Sequence, residues 1–286
     1  ATSMHPESLG YRDVNPHIKT DYGESQPESI TPPLAPYSRA HNWLQTLSYV
    51  LIANLPEEEY MWPFSVPCHL PEDDRLINIS QTSNAELEEY RLYTASKYGK
   101  KRQLMNGIHI NYSFNAEFLE NLFVNQTEFD TVESLRDELY LKLASNFLRY
   151  QWLLVYLFGA TPVAENHFFT GPFFKDKELP NGPMRSLRNS EFGFTNNPKV
   201  VVRYDSVEHY AGDLQEAVLT GKLRKEREYY GDVRLRGIVK DSVSLLEDGI
   251  QYLEMRSFDN DPFEVSGLSE ETLQFIHLFF ITMLCL

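Results

Sequence analysis

The sharpest chemistry in the sequence is an acid and a base one position apart from adjacency in an otherwise apolar segment, Glu254 and Arg256 in GIQYLEMRSF. A strand alternates its side chains, which places Tyr252, Glu254 and Arg256 on one face and Leu253 and Met255 on the other. Charges on such a strand are not left unpaired in an interior, because an isolated charge is costly to remove from water. Two arrangements meet that requirement: a structural ion pair, or a site in which Glu254 holds a hard cation and Arg256 holds phosphate oxygens. A second polar face is expected in QLMNGIHINYSF, where alternation sets His109, Asn111 and Ser113 against Ile108, Ile110 and Tyr112. Taken alone, His109 reads more naturally as a hydrogen-bonded core histidine than as a ligand. Near the start, Asp21, Glu24 and Glu28 recur at helical spacing, but Gly23 and Pro27 oppose a regular helix. A turn running into a strand is expected there, with its carboxylates in solvent. Tyr90, Phe194, Tyr229 and Tyr230 are core or surface aromatics by default, with pocket lining as the alternative. Neither G-x-x-x-x-G-K-[ST] nor a strand followed by G-x-G-x-x-G occurs, so any bound phosphate must be gripped by metal and arginine.

These side chains need elements to carry them. After TPPLAPYS, the spacing of Trp43, Leu47 and Leu51 predicts a helix that Pro56 ends. Prolines 63, 67 and 71 keep EYMWPFSVPCHLPEDD extended or looped. A charged, tyrosine-bearing helix is expected over 85–101. The clearest helix runs from Thr131 to Leu157, with Leu135, Leu139, Leu143, Phe147 and Tyr150 on one side and Gly159 and Pro162 closing it. Another is expected from Val207 to Leu219. Ser269 can cap a last helix, with Glu270 and Glu271 in its first turn and Leu273, Ile276, Phe280 and Leu284 as its stripe. Between Phe168 and Asn197 periodic signals are few, which suits a loop that covers a substrate. The pattern as a whole predicts an α+β fold, an antiparallel sheet with helices packed on one side.

The 286 residues allow one large domain or two small ones. Forty-one acidic against 26 basic side chains give a net charge of -15, which argues against nucleic acid and anionic membranes as partners. Only Cys68 and Cys285 are present, too few for a disulfide framework, and a reducing, cytoplasmic setting is expected. The N-terminus ATSMHPESLG shows no secretory pattern. The apolar run FIHLFFITMLCL falls short of the ~20 residues that span a bilayer, so a core helix is expected.

Six segments, in order and with fitting spacing, carry a resemblance that covers nearly the whole chain: TDYGESQPESITPP, MWPFSVPC, YGKKRQLMNGIHINYSF, YLFGATP, RSLRNSEFGFTN and IQYLEMRSFDNDPF. Together they resemble bacterial glutamate-cysteine ligase. The form ESQPESITP is most similar to the bifunctional members, in which an ATP-grasp domain follows and completes glutathione. The resemblance implies the glutamine synthetase-like ligase fold and a reaction in which ATP phosphorylates the glutamate side-chain carboxylate and the amine of cysteine then attacks. It implies Mg2+, with Mn2+ as a substitute, held by Asp21, Glu28, Glu254 and His109, and a catalytic role for His109 and Arg256 beside the ATP phosphates. Arg91 is implied as a further ATP contact. Arg188 would hold substrate glutamate with Gln103 nearby, and Tyr90, Phe194 and Tyr230 would form the cysteine pocket. Position 194 often carries tyrosine in this family, so Phe194 lacks one polar contact.

In the family a strand with paired glutamates of G-x-E-x-E type precedes the region matched by HPESLG, and it supplies further metal ligands. On this reading residues 1–286 are a catalytic core truncated at both ends, with impaired activity as the expectation. The competing readings are a noncatalytic fragment and an acidic glycoside hydrolase with two carboxylates across a sugar bond. Arg188, Arg256 and His109 suit anionic substrates better than sugar.

Overall fold

A computed structural model describes residues 4–286 except 172, 194 and 197. The chain divides into two compact units, Ala1–Gly107 with Phe158–Phe194 and Asp259–Phe275, and Ile108–Leu157 with Thr195–Phe258 and Ile276–Leu286. No helix among the described residues is long and apolar enough to cross a membrane.

In the first unit, β1 (Ile18–Thr20) and β2 (Pro27–Ser29) form an antiparallel hairpin, the expected turn into a strand. Helix α1 (Tyr37–Ala53) follows the prolines, but its buried side chains are His41, Leu47 and Leu51. Trp43, expected in the core stripe, is instead 40% exposed and lies edge-on to His17 at 5.5 Å. His41 takes the inner place because its ring nitrogen finds a polar partner, the Leu268 carbonyl at 2.9 Å. Asn84 caps α2 (Ala85–Tyr98) by accepting from the N–H groups of Glu86 and Leu87. Gly99 then ends it, and the short α3 (Lys100–Gln103) carries three buried polar side chains, Lys101, Arg102 and Gln103. The segment after Phe168 is not merely a cover. Phe168, Phe174, Leu187 and Phe192 are buried with Tyr22, Val66, Leu70, Ile77, Leu104 and Met105 in this unit's main core.

The second unit is built on β3 (Ile108–Tyr112), α4 (Ala116–Val124), α5 (Val132–Tyr150), α6 (Trp152–Phe158), α7 (Val207–Leu219), β4 (Val233–Arg236), α8 (Ser242–Asp248) and β5 (Tyr252–Phe258). Thr131 closes a capping box on α5, as its hydroxyl accepts from the Ser134 N–H at 3.1 Å. The long helix expected to Leu157 is interrupted at Gln151, which separates α5 from α6. The last helix, α9 (Glu270–Cys285), starts in the first unit and continues in the second, with Ile276, Phe279, Phe280 and Met283 buried.

The sheet has the order β3-β5-β4 and is antiparallel throughout. Its apolar face packs on helices of the same unit: Phe147 of α5 meets Phe258, Phe279 and Phe280, and Tyr112 meets Phe280 at 5.0 Å. Leu253 and Met255 on this face are fully buried, which is the one-sided packing expected for β5. Helix α5 also fixes where β5 begins. Asp137 accepts from the Ile250 N–H at 2.9 Å, and Gly249, at φ +70°, passes so close that a Cβ would lie 2.4 Å from the Asp137 carboxylate.

Candidate functional site

The opposite face of that sheet is polar because the register makes it so. Arg234 lies across from Glu254, Asn111 flanks Glu254 on its other side, and Arg236 lies across from Tyr252. Arg234 and Arg236 therefore share a face with Tyr252, Glu254 and Arg256. Between Ile108 and Ile110 the β3–β5 register shifts, so Arg256 and Ser257 together oppose His109. Phe258 consequently joins the apolar face, while Arg256 stays on the polar one.

Glu254 is the centre of this face. Its Oε1 accepts from Arg256, its Oε2 accepts from Arg236 Nε at 2.7 Å, and His109 Nδ1 lies 3.8 Å from Oε1. Burial alone would favour the neutral acid, but the charges of Arg256, Arg236, Arg234 and His109 outweigh it and hold the carboxyl well below the usual carboxylate range. Arg234 is itself buried and donates to the carbonyls of Arg227 and Tyr229. The Tyr230 ring supports two of the guanidiniums, Arg256 at 5.4 Å and Arg234 at 5.5 Å. The face thus presents one ionised carboxylate in a ring of cations, an arrangement suited to anions such as phosphate.

In the first unit, the β1–β2 turn is shaped by Gln26. Its side-chain oxygen accepts from the Gly23 N–H at 2.7 Å, and its amide donates to the Leu104 carbonyl at 2.8 Å. Pairing of Lys19 with Glu28 places Lys19, Asp21 and Glu28 on one side of the hairpin, with Asp21 and Glu28 exposed. Arg91 reaches from α2 to the backbone of this turn, donating to the carbonyls of Asp21 at 2.8 Å, Ser80 at 2.9 Å and Thr20 at 3.3 Å. Glu24 does not share the solvent face expected for it. It is buried against Arg12 and accepts from the Gln81 N–H at 3.0 Å, so it ties the N-terminal segment to the core. Gln103 is buried and donates to the Gly99 carbonyl at 3.3 Å, and Tyr90 is half-buried with Tyr93 at 6.3 Å.

Arg188 sits on a tight loop in the same unit. Gly193 folds back on it so closely that a Cβ there would lie 1.9 Å from the Arg188 carbonyl oxygen. A buried polar network anchors the loop: Asp259 accepts from the Thr161 hydroxyl at 2.6 Å and the Ala160 N–H at 2.9 Å, and Ser186 accepts from both nitrogens of Asn189. Phe194 lies outside the described residues.

A family model described as glutamate-cysteine ligase matches residues 1–286. The chain belongs to the glutamate-cysteine ligase family. Among curated relatives it is 43% identical over 285 residues to the glutathione biosynthesis bifunctional protein GshAB of Pasteurella multocida, covering 99% of this chain and 37% of the relative. It is 42% identical over 286 residues to the protein of the same name from Mannheimia succiniciproducens, covering 100% of this chain and 37% of that one. Two solved structures share the fold. The bifunctional glutathione synthetase of Pasteurella multocida matches with a TM-score of 0.90 and 41% identity, over 100% of this chain and 36% of that one. A glutamate-cysteine ligase of Francisella tularensis in complex with AMP matches with a TM-score of 0.85 and 28% identity, over 100% of this chain and 63% of that one. The chain therefore spans about 37% of the length of the first curated relatives it matches. The expected α+β ligase fold is the fold of these solved glutamate-cysteine ligase and glutathione synthetase structures.

Within this ligase-family chain the structure brings Glu254, Arg256 and His109 together on one sheet, with the Tyr230 ring beside Arg256. Asp21, Glu28, Tyr90, Arg91, Gln103 and Arg188 belong to the other unit. Among the described residues, no group of three or more His, Cys, Asp or Glu side chains is arranged to hold a metal ion. Asp21, Glu28 and Glu254 carry carboxylates, which match a hard cation in kind, and His109 carries a nitrogen donor. Sequence reasoning missed Arg234 and Arg236, although the run VRLR carries the needed signal, arginines alternating with apolar residues at strand period.

Proposed function

We propose that this chain catalyses, with ATP and a divalent cation, the joining of the L-glutamate side-chain carboxylate to the amine of L-cysteine. The observation that carries the reading is the cluster of Glu254, Arg256, Arg236 and His109 on one sheet face of a glutamate-cysteine ligase family chain. Phosphoryl transfer depends on positioning and charge neutralisation more than on a protein nucleophile, and guanidiniums fixed by a β-ladder meet both needs. The glutamate carboxylate oxygen attacks the terminal phosphorus of ATP and ADP leaves. The cysteine amine then attacks the acyl carbon and phosphate leaves. Arg256 neutralises the phosphate charge that develops in both steps, and His109 stands beside it.

Asp21, Glu28, Glu254 and His109 are the donors assigned to Mg2+, with Mn2+ as a substitute of similar ligand preference. Such an ion, when bound, supplies Lewis-acid neutralisation of phosphate oxygens. Arg188 is assigned to substrate glutamate, with Gln103 near it. Tyr90, Phe194 and Tyr230 are assigned to the cysteine pocket. Arg91 keeps its assignment near ATP, and its clamp on the Asp21 backbone supports a positioning role there. The reading also places the chain as the ligase part of a bifunctional cytoplasmic protein with a C-terminal ATP-grasp domain, supported by the names of its relatives.

Isothermal titration with a nonhydrolysable ATP analogue and glutamate, with and without magnesium, tests this reading. A magnesium-dependent heat is expected from the parent and its loss from Glu254→Gln. Equal binding by both proteins would remove Glu254 from the site.

A further inference from the structure

Three guanidiniums converge on the polar face of the β3-β5-β4 sheet, and the neighbouring carboxylate they share is Glu254. We propose that Arg234 and Arg236 of β4 bind phosphate oxygens directly, so that β4 and β5 together form a polyphosphate site of three arginines. The inference deepens the proposed function and rests on its assignment of Arg256 to phosphate.

Placement is the first argument. Arg234 is in register with Glu254 and Arg236 with Tyr252, so both side chains emerge beside Glu254 and Arg256 on adjacent strands. Strands lie ~4.8 Å apart and alternate positions on one strand ~6.8 Å apart, close enough for long arginine side chains to converge on one polyphosphate. Charge is the second. Glu254 can neutralise one of the arginines, which leaves an excess of positive charge on a face where Arg234 is only 9% exposed and the Arg236 side chain 11% exposed. Buried charge of one sign is costly, and an anion is what relieves it. Arg234 shows that cost in its geometry: it is buried, and among the described residues its Nε has no hydrogen-bond partner. The third argument is the Tyr230 ring, which lies against both Arg234 and Arg256. A neutral aromatic ring fixes the planes of the guanidiniums without cancelling their charge. Planar forks held this way match the paired oxygens of phosphate, and several of them suit a multiply charged chain better than a single carboxylate.

The test is isothermal titration of the intact protein with inorganic tripolyphosphate, and separately with glutamate, using Arg236→Gln, Arg234→Gln and Arg256→Gln. Each charge-assisted bond lost is expected to weaken tripolyphosphate ~10-fold or more, with a shallower dependence of affinity on salt. Arg236→Lys and Arg234→Lys guard against unfolding, because lysine keeps a cation beside Glu254 but cannot fork two oxygens. With circular dichroism matching the parent, these are expected to bind tripolyphosphate several-fold more weakly. Parental tripolyphosphate affinity in the β4 variants, with loss in Arg256→Gln, would overturn the inference and leave the proposed function standing. Loss of glutamate binding alone would likewise overturn it, by making β4 a carboxylate site. Parental affinity in all three glutamine variants would remove both readings.

Discussion

The sheet face around Glu254 and the loop that carries Arg188 hold their charged side chains by opposite means. On the sheet, position comes from the backbone ladder and a fully packed apolar underside, and the side chains above are fixed by charges pairing with charges. In the loop the described residues form only an isolated parallel bridge, between Thr161 and Ser186. Position there comes from hydrogen bonds that converge on Asp259 and Ser186, and from the near approach of Gly193 to the Arg188 carbonyl. A ladder can tolerate a poor side chain because the backbone still sets the direction. A loop built on a few exact contacts cannot, so the two regions should fail differently.

The largest effect expected is on the sheet. Glu254→Ala leaves Arg236 and Arg256 without their shared carboxylate, and breaking a buried pair in this way costs about 3–5 kcal/mol. Urea unfolding should show it as a lower midpoint with an unchanged slope; a change below about 1 kcal/mol would mean that the cluster is not held by charge. Gly193→Ala is expected to cost about 3 kcal/mol, since the new methyl meets a backbone oxygen rather than a yielding side chain. It should also weaken glutamate binding while tripolyphosphate binding stays at the parental level, which separates the regions by ligand. Asp259→Ala should cost about 2 kcal/mol by stranding the Thr161 hydroxyl and the Ala160 N–H. If glutamate affinity survived that change in a folded protein, the loop would owe its shape to Gly193 alone.

Acid sharpens the contrast further. Glu254 is ionised in the folded protein to lower pH than in the unfolded chain, so its stabilisation is complete above the unfolded value of ~4.3 and is lost as pH falls through the lower folded value. The parent should therefore lose stability below about pH 4.3 more steeply than Glu254→Gln, in denaturation midpoints measured against pH. The smallest effect belongs to an exposed pair. Arg75 donates to Asp73 at 2.8 Å in full solvent, and Arg75→Ala should leave the melting temperature unchanged.

The sheet was also the more legible region. Period-two alternation identified both faces of β3 and β5, and helical spacing gave α7 with its ends at Val207 and Leu219. Those signals survive because one side of each element meets an apolar core. The interruption at Gln151 was invisible because the apolar pattern runs through it. Glu24 was misplaced for a different reason: its partner Arg12 lies in an irregular segment, and no spacing rule predicts an ion pair between turns. The same limit hid the burial of Phe168, Phe174, Leu187 and Phe192, whose aromatic rings pack without any helical or strand period. In the candidate site, Glu254 and Arg256 could be read as partners, but the second partner of Glu254, Arg236 of β4, was not. The Arg91 contacts were beyond sequence altogether, because its acceptors are backbone carbonyls and every residue has one.

The irregularity between β3 and β5 has a consequence of its own. A strictly periodic strand is a two-phase device: positions of equal parity must share a fate, so Arg256 on the polar side would force Phe258 there as well. The additional residue opposite His109 resets the phase, and one strand can place a cation in the site and, two positions later, an aromatic anchor against Phe147. Deleting Ser257 would remove the bulge yet leave Arg256 and Phe258 on opposite faces, as neighbours in a regular strand. What the extra residue supplies is therefore spacing: it sets the cation and the aromatic anchor two positions apart without giving them one face.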